Sequence, residues 1–149
     1  MQIITKTLYD QDFALWIEET VKQLKAKNTD NLDWENLIEE IESLGKRDKR
    51  ELKSRLITLF EHALKRRYVP LPDCYRGWIL TIKRTQSKLK DLLQESPSLY
   101  NFLKNIYLDC YQEALENMGI EYDIDFPDVY PFSDNVDRLL NENFWENHS

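Results

Sequence analysis

The chain has 149 residues, of which 42% are hydrophobic and 12% aromatic, with a formal net charge of −7 and only 3 glycines. This composition excludes a disordered or collagen-like protein, and the length is sufficient to form one hydrophobic core. We therefore predict a single domain over residues 1–149.

Helical spacing of apolar residues dominates the first part of the chain. A first helix is predicted from about Asp10 to Lys27, with one apolar face. Asp33 is predicted to cap a second helix, and Gly45 to end it in the left-handed C-cap conformation. The apolar stripe of this second helix, in which Trp34 is a candidate for the core, comprises Trp34, Leu37, Ile38, Ile41 and Leu44.

Three more long helices are predicted beyond Gly45. The first runs from about Lys46 to Tyr68, where Pro70 and Pro72 stop it. The next is capped by Asp73 and reaches about Glu95, with Trp78 among its core candidates. The last is capped by Ser96, begins at Pro97 and reaches about Met118, with Gly119 closing it.

An acidic and aromatic connector follows at about 119–132, and its composition predicts an extended segment packed by its rings. Ser133 is predicted to cap a short C-terminal helix at about 133–141. Strand signals are almost absent, apart from a short extended piece at Gln2 to Thr5. The predicted fold is an all-α, antiparallel helical bundle of about five main helices with a short C-terminal helix.

Charge is distributed unevenly along the chain. Residues 46–90 hold 14 of the 20 Lys and Arg and 4 of the 27 acidic residues, which gives +10, and the remainder gives 6 − 23 = −17. Two interpretations stay open. The acidic flanks fold onto the basic middle, or the middle presents a basic face to an anionic partner.

The two cysteines, Cys74 and Cys110, match no metal or redox spacing, and we interpret them as free thiols in a reducing compartment. The first residues have no secretory-signal pattern, and no apolar run is long enough to span a membrane. We expect a soluble, cytoplasmic protein that does not associate with membranes.

One row of the predicted 46–68 helix contains candidate functional residues. At 100° per residue, Arg55 and His62 lie about 20° apart at the edge of the apolar arc, and Arg66 extends the same row. Glu51 precedes Arg55 by one turn and is placed to pair with it. With Arg67, the residues Arg55, His62 and Arg66 form the predicted binding surface, which we call the basic edge.

The spacing of Arg55 and His62 is similar to a feature of the HEPN ribonuclease superfamily, whose helical domains place an Arg and a His on one helix. A His can transfer a proton near neutral pH, and an Arg can stabilise charge on a phosphate, without a metal. The alternative is structural: His62 hydrogen-bonds to a neighbouring helix at the edge of the core, and Arg55 pairs with Glu51 or with the Glu39–Glu42 region.

No metal or cofactor site is predicted. Glu39, Glu40 and Glu42 lack a Glu-x-x-His pair, and His148 is expected in a disordered tail. There is no Gly-rich phosphate loop, and the basic residues of the predicted 73–95 helix are spread over its outer face, so nucleic acid is not the favoured partner.

Four segments together resemble the bacterial domain of unknown function twenty-nine family, which is abundant in cyanobacteria. They are "LYDQDFALWIEETVKQLK", "LDWENLIEEIESLGKRDKRELKSRLITLFEHALKRRY", "RGWILTIKRTQSKLKDLLQESPSL" and "FPDVYPFSDNVDRLLNENFW". The resemblance implies an all-α bundle and no activity that can be transferred to particular residues.

These observations favour a non-enzymatic interaction or regulatory module that binds a protein partner, or a second copy of itself, through the basic edge. The alternative is a metal-independent ribonuclease or RNA-binding protein of HEPN-like type that uses Arg55 and His62 as its catalytic pair.

Overall fold

The computed structural model describes residues 7–146, which form six α-helices and one 3-10 turn at Pro72–Cys74 and contain no β-strand. The prediction of an all-α fold is confirmed. Two predicted features, the extended piece at Gln2 to Thr5 and the tail with His148, lie outside the described residues. The helices are α1 (Leu8–Gln11), α2 (Phe13–Lys25), α3 (Trp34–Tyr68), α4 (Tyr75–Glu95), α5 (Leu99–Glu121) and α6 (Val136–Asn141).

Contacts divide the chain into two compact units, Met1–Lys46 and Arg47–Ser149. We call their described parts the N-terminal unit (7–46) and the main unit (47–146). Helix α3 contributes its first part to the N-terminal unit and its longer second part to the main unit. The prediction of one domain over the whole chain stays a prediction.

The first predicted helix forms as two helices because Asp12 interrupts it. Asp12 has an extended backbone (φ −152°), and its carboxylate accepts the amide of Leu15 at 3.1 Å. This is the geometry of an N-cap, so α2 begins at Phe13 rather than near Asp10. Asp33 accepts the amide of Asn36 at 3.4 Å, as expected of the cap of α3.

The predicted helix end at Gly45 is not found. Helix α3 is 35 residues long and continues through Gly45, and no glycine has a positive φ. A C-cap glycine needs the left-handed conformation, whereas a glycine inside a helix costs only about 1 kcal/mol relative to alanine. Lys46, Arg47 and Lys49 are good helix formers, so the helix propagates across Gly45.

The core of the main unit is built on the second part of α3. Leu52, Leu56 and Phe60 are fully buried there. Helices α4 and α5 add Ile82, Leu89, Leu103, Tyr111 and other residues to the same cluster, and the connector packs its rings onto it. Phe60 is the centre of the aromatic packing, since its ring lies 5.8 to 6.4 Å from four others: those of Tyr111, Tyr130, Phe132 and Phe144.

Helix α6 is fixed to the core by a buried glutamine. The side-chain amide of Gln86 donates to the carbonyl of Leu139 at 2.9 Å and to that of Glu142 at 3.0 Å. The carbonyls at the end of a helix lack partners within it, so this one amide compensates for two of them.

Four other helix ends differ from the predictions. Helix α5 begins at Leu99 rather than at Pro97, and the predicted cap Ser96 instead lies at the end of α4. Helix α5 passes Gly119 in helical conformation and ends at Glu121. Helix α6 is capped by Asn135, whose side chain accepts the amide of Asp137 at 3.0 Å, and Ser133 instead accepts the amide of Asn135. Asp73 lies in the 3-10 turn before α4 and does not cap that helix.

Candidate functional site

Arg55, the first residue of the basic edge, forms an ion pair on its own helix. Its Nε donates to Glu51 Oε1 at 3.1 Å, and its Nη2 lies 3.1 Å from the same oxygen. Both side chains are about one-third exposed or more, so the pair contributes only about 0.5 kcal/mol to stability. Of the two predicted partners of Arg55, Glu51 and the Glu39–Glu42 region, the structure shows Glu51.

His62 also makes its hydrogen bond within α3. Its Nδ1 lies 3.0 Å from the carbonyl oxygen of Thr58, one turn earlier, rather than on a neighbouring helix as predicted. A carbonyl only accepts, so Nδ1 carries the proton and Nε2 is the acceptor of the ring. Burial lowers the pKa of His62 below 6.5, and the bond to Thr58 opposes this change. The neutral ring is therefore favoured near neutral pH.

The remaining two residues of the basic edge contact aromatic rings. The guanidinium of Arg66 lies 4.1 Å from the ring centre of Tyr75, which is cation–π distance. Arg67 donates to the carbonyl of Pro131 at 3.4 Å and lies 5.8 Å from the ring centre of Phe132. These contacts join the end of α3 to the start of α4 and to the connector.

A shallow groove of about 370 Å³ lies between α3 and α5. It presents the cations Arg50 and Lys53 at one end, and Glu61 accepts an amide hydrogen from Asn117 at 2.8 Å at the other. Its lining includes neither Arg55 nor His62. The groove therefore does not bring a substrate-sized space to the predicted catalytic pair.

The N-terminal unit presents a different kind of surface. Nine of the fourteen large apolar side chains that are exposed among residues 7–146 belong to this unit, although it is the smaller one. Most of them form two rows at helical spacing, each side chain between 41% and 59% exposed. The α2 row is Phe13, Ile17, Val21 and Leu24, and the α3 row is Trp34, Ile38, Ile41 and Leu44.

Trp34 was predicted to lie in the core, and this prediction is wrong, because its side chain is 51% exposed. Trp78, the other tryptophan predicted there, is half-buried. Apolar periodicity identifies the apolar face of a helix. It does not distinguish a face buried in the core from a surface that binds another molecule. The one sequence signal of a surface is the acidic composition beside the α3 row.

Carboxylates border the α3 row. Residues 33–45 contain five acidic side chains and no Lys or Arg. At 100° per residue, Glu42 and Glu35 lie about 40° and 60° beyond Ile38, and both are exposed. On the other border, Glu40 accepts a short hydrogen bond from the hydroxyl of Tyr9. This bond raises the pKa of Tyr9 to about 12.

The cysteines have contrasting environments. Cys110 is fully buried, and burial raises the pKa of its thiol to about 12, so it is protonated and unreactive at neutral pH. Cys74 is exposed, and both thiols are free. Within residues 7–146, no three His, Cys, Asp or Glu side chains are grouped as metal ligands, and no helix is long and apolar enough to cross a membrane.

Fold and surface together define a small all-α protein built on one long helix, with an apolar, acidic surface at the start of that helix and a basic edge later on it. The family described as Domain of unknown function DUF29 matches residues 8–145, and the chain belongs to this family. No curated protein and no solved structure matches the chain. The family itself assigns no activity to any residue.

Proposed function

We propose that the chain is a cytoplasmic, non-enzymatic module that binds another protein through the α2 and α3 rows. The observation that carries this proposal is the concentration of half-exposed Trp, Phe, Ile, Val and Leu side chains in the N-terminal unit. Large exposed apolar surfaces are typical of protein interaction sites, because covering them removes apolar area from water.

The contacts of the basic edge favour a structural role for its three arginines rather than catalysis. Arg55 is paired with Glu51, and the rings of Tyr75 and Phe132 hold Arg66 and Arg67. Charged groups with such partners strengthen the fold of the main unit. The basic edge remains a second candidate binding surface, with the α2 and α3 rows as the principal one.

The test compares the wild-type chain with Ile38→Asp/Ile41→Asp, which places two charges in the α3 row. A matched control, Leu80→Asp/Leu108→Asp, changes two side chains of the main unit that are 49% and 48% exposed. Self-association is measured by sedimentation, and partner binding by capture of stoichiometric protein from a bacterial lysate.

We expect the wild type and the control to bind the same protein, or themselves, and the α3-row variant to lose this binding. A wild-type chain that stays monomeric and captures nothing contradicts the proposal. Equal loss in the control would also contradict it, because the α3 row would then have no special role.

The alternative function is a metal-independent ribonuclease of HEPN-like type that uses Arg55 and His62. The observation in its favour is the neutral ring of His62, which keeps Nε2 as a proton acceptor near neutral pH. RNA cleavage by the purified chain in a chelator, abolished by His62→Ala without a change in helical content, would support it. Absence of cleavage by the wild type would exclude it.

A further inference from the structure

We infer that the α3 row binds an amphipathic helix of a partner protein that carries Lys and Arg side chains beside its apolar stripe. This inference rests on the proposed function and adds the chemistry of the partner. It depends on the shape of the row and on the negative charge at its borders. The same charge disfavours a second copy of the chain and other anionic partners.

The shape of the row suits a helix. Trp34, Ile38, Ile41 and Leu44 follow spacings of four, three and three residues, which places them within about 120° of one side of α3. The eleven residues from first to last span about 15 Å along the axis, or nearly three turns. Helices that dock on apolar surfaces use anchors of this spacing and length.

The charge at the borders selects a basic partner. Glu35 and Glu42 lie on one border and Glu40 lies on the other, and residues 33–45 contain no Lys or Arg. Covering the row removes part of the water around these carboxylates. A partner compensates for that loss when it places cations opposite them.

A second copy of this chain is disfavoured by the same charges. A symmetric dimer uses the same patch on both subunits. If the α3 row covered itself, whether parallel or antiparallel, residues 33–45 of one copy would face residues 33–45 of the other. The border carboxylates Glu35, Glu40 and Glu42 of one copy would then approach those of the other, and residues 33–45 contain no Lys or Arg to separate them. Anionic lipid surfaces and nucleic acids are repelled for the same reason.

The experiment measures the affinity of the full chain for two synthetic helical peptides of about five turns. Both carry Leu at spacings of three and four. One has Lys at every flanking position, and the other has Glu there. Fluorescence anisotropy of the labelled peptide gives each Kd at low and at high salt. We expect the Lys peptide to bind at least tenfold more tightly than the Glu peptide, with a smaller ratio at high salt.

Two charge-reversal variants locate the site of this preference. Glu35→Lys/Glu42→Lys reverses two charges beside the α3 row, seven residues apart on one helix. Asp109→Lys/Glu116→Lys makes the same change with the same spacing on the exposed face of α5. We expect the first variant to lose or reverse the preference and the second to keep it. Circular dichroism checks that both remain helical.

Each result decides the inference. Equal binding of the two peptides, no binding, or an equal change in both charge-reversal variants would overturn it. Wild-type self-association that Ile38→Asp/Ile41→Asp disrupts would identify a second copy as the occupant, which overturns this inference and leaves the proposed function intact. If the chain binds neither peptide but captures a protein that Ile38→Asp/Ile41→Asp loses, only this inference fails. If it binds neither peptide, stays monomeric and captures no protein, both fail.

Discussion

The two parts of α3 have similar apolar periodicity but opposite environments. In the main unit, Leu52, Leu56 and Phe60 are fully buried beneath α4, α5 and the connector, whereas in the N-terminal unit Ile38 and Ile41 are 52% and 59% exposed. The comparison shows that one continuous helix can serve as a core element along one part of its length and as a surface element along another.

The largest expected difference between the two units is the cost of removing an apolar side chain. Phe60→Ala leaves a cavity among four aromatic rings and should lower the free energy of unfolding by about 3 to 5 kcal/mol. Ile41→Ala removes a side chain that is already half in water and should change it by less than about 0.5 kcal/mol. Urea unfolding followed by far-UV circular dichroism measures both.

The same two variants also test whether the two parts of α3 differ in solution. If Ile41→Ala costs as much as Phe60→Ala in the purified chain, the α3 row is covered in solution. A cost that rises with protein concentration would mean that a second copy covers it.

Much of the fold could be predicted from the sequence, because helix formation depends on local patterns. The caps and prolines at Asp33 and Pro70 limit α3 as predicted, and the predicted pair of Glu51 and Arg55 is present, since residues one turn apart meet on any helix. The predicted end at Gly45 is wrong because a glycine ends a helix only where the residues after it do not continue the helix, and Lys46, Arg47 and Lys49 are good helix formers.

The candidate site was harder to predict because it depends on which side chains of a helix are left uncovered by neighbouring elements. The sequence predicts Arg55 and His62 as candidate functional residues because their chemistry is recognisable from residue type alone. Trp34 and Ile38 have the residue types of a core, and only the structure shows that the described chain leaves them half exposed. Solvent exposure follows from tertiary packing, which no local pattern encodes.

The second prediction concerns the polar groups that the main unit buries. Gln86→Leu removes the donor that the carbonyls of Leu139 and Glu142 share, and it should cost about 1 to 3 kcal/mol because buried acceptors lose their partner. Gln94→Leu, an exposed change on the same helix, should be nearly neutral. Similar costs for the two variants would contradict the role of Gln86.

The third prediction concerns Gly45, near the boundary between the two units. An added Cβ would meet no heavy atom within 4 Å, and the residue has no positive φ. Gly45→Ala should therefore stabilise α3 by about 1 kcal/mol through its better helix propensity, seen as a higher melting temperature. A lower melting temperature would indicate that α3 is interrupted here and would restore the predicted helix end.

The smallest expected effect is the pH dependence contributed by His62 in the main unit. Burial lowers the pKa of its ring below 6.5 in the folded chain, so the unfolded chain binds the proton first as the pH falls. The stability that this neutral ring provides is complete above pH 6.5 and decreases as the pH falls toward the lowered pKa. The Lys65 ammonium also lowers the pKa of His62, whereas the carboxylates of Glu61 and Glu121 raise it.

His62→Gln should remove this dependence. The difference in unfolding free energy between the wild type and the variant should be constant above pH 6.5 and should shift in favour of the variant at lower pH, measured by urea unfolding at several pH values. A difference that does not change with pH would mean that His62 has the same proton affinity in the folded and unfolded chains. The ring would then be solvated rather than held at the edge of the core, and the neutral base that a ribonuclease requires would lose its structural support.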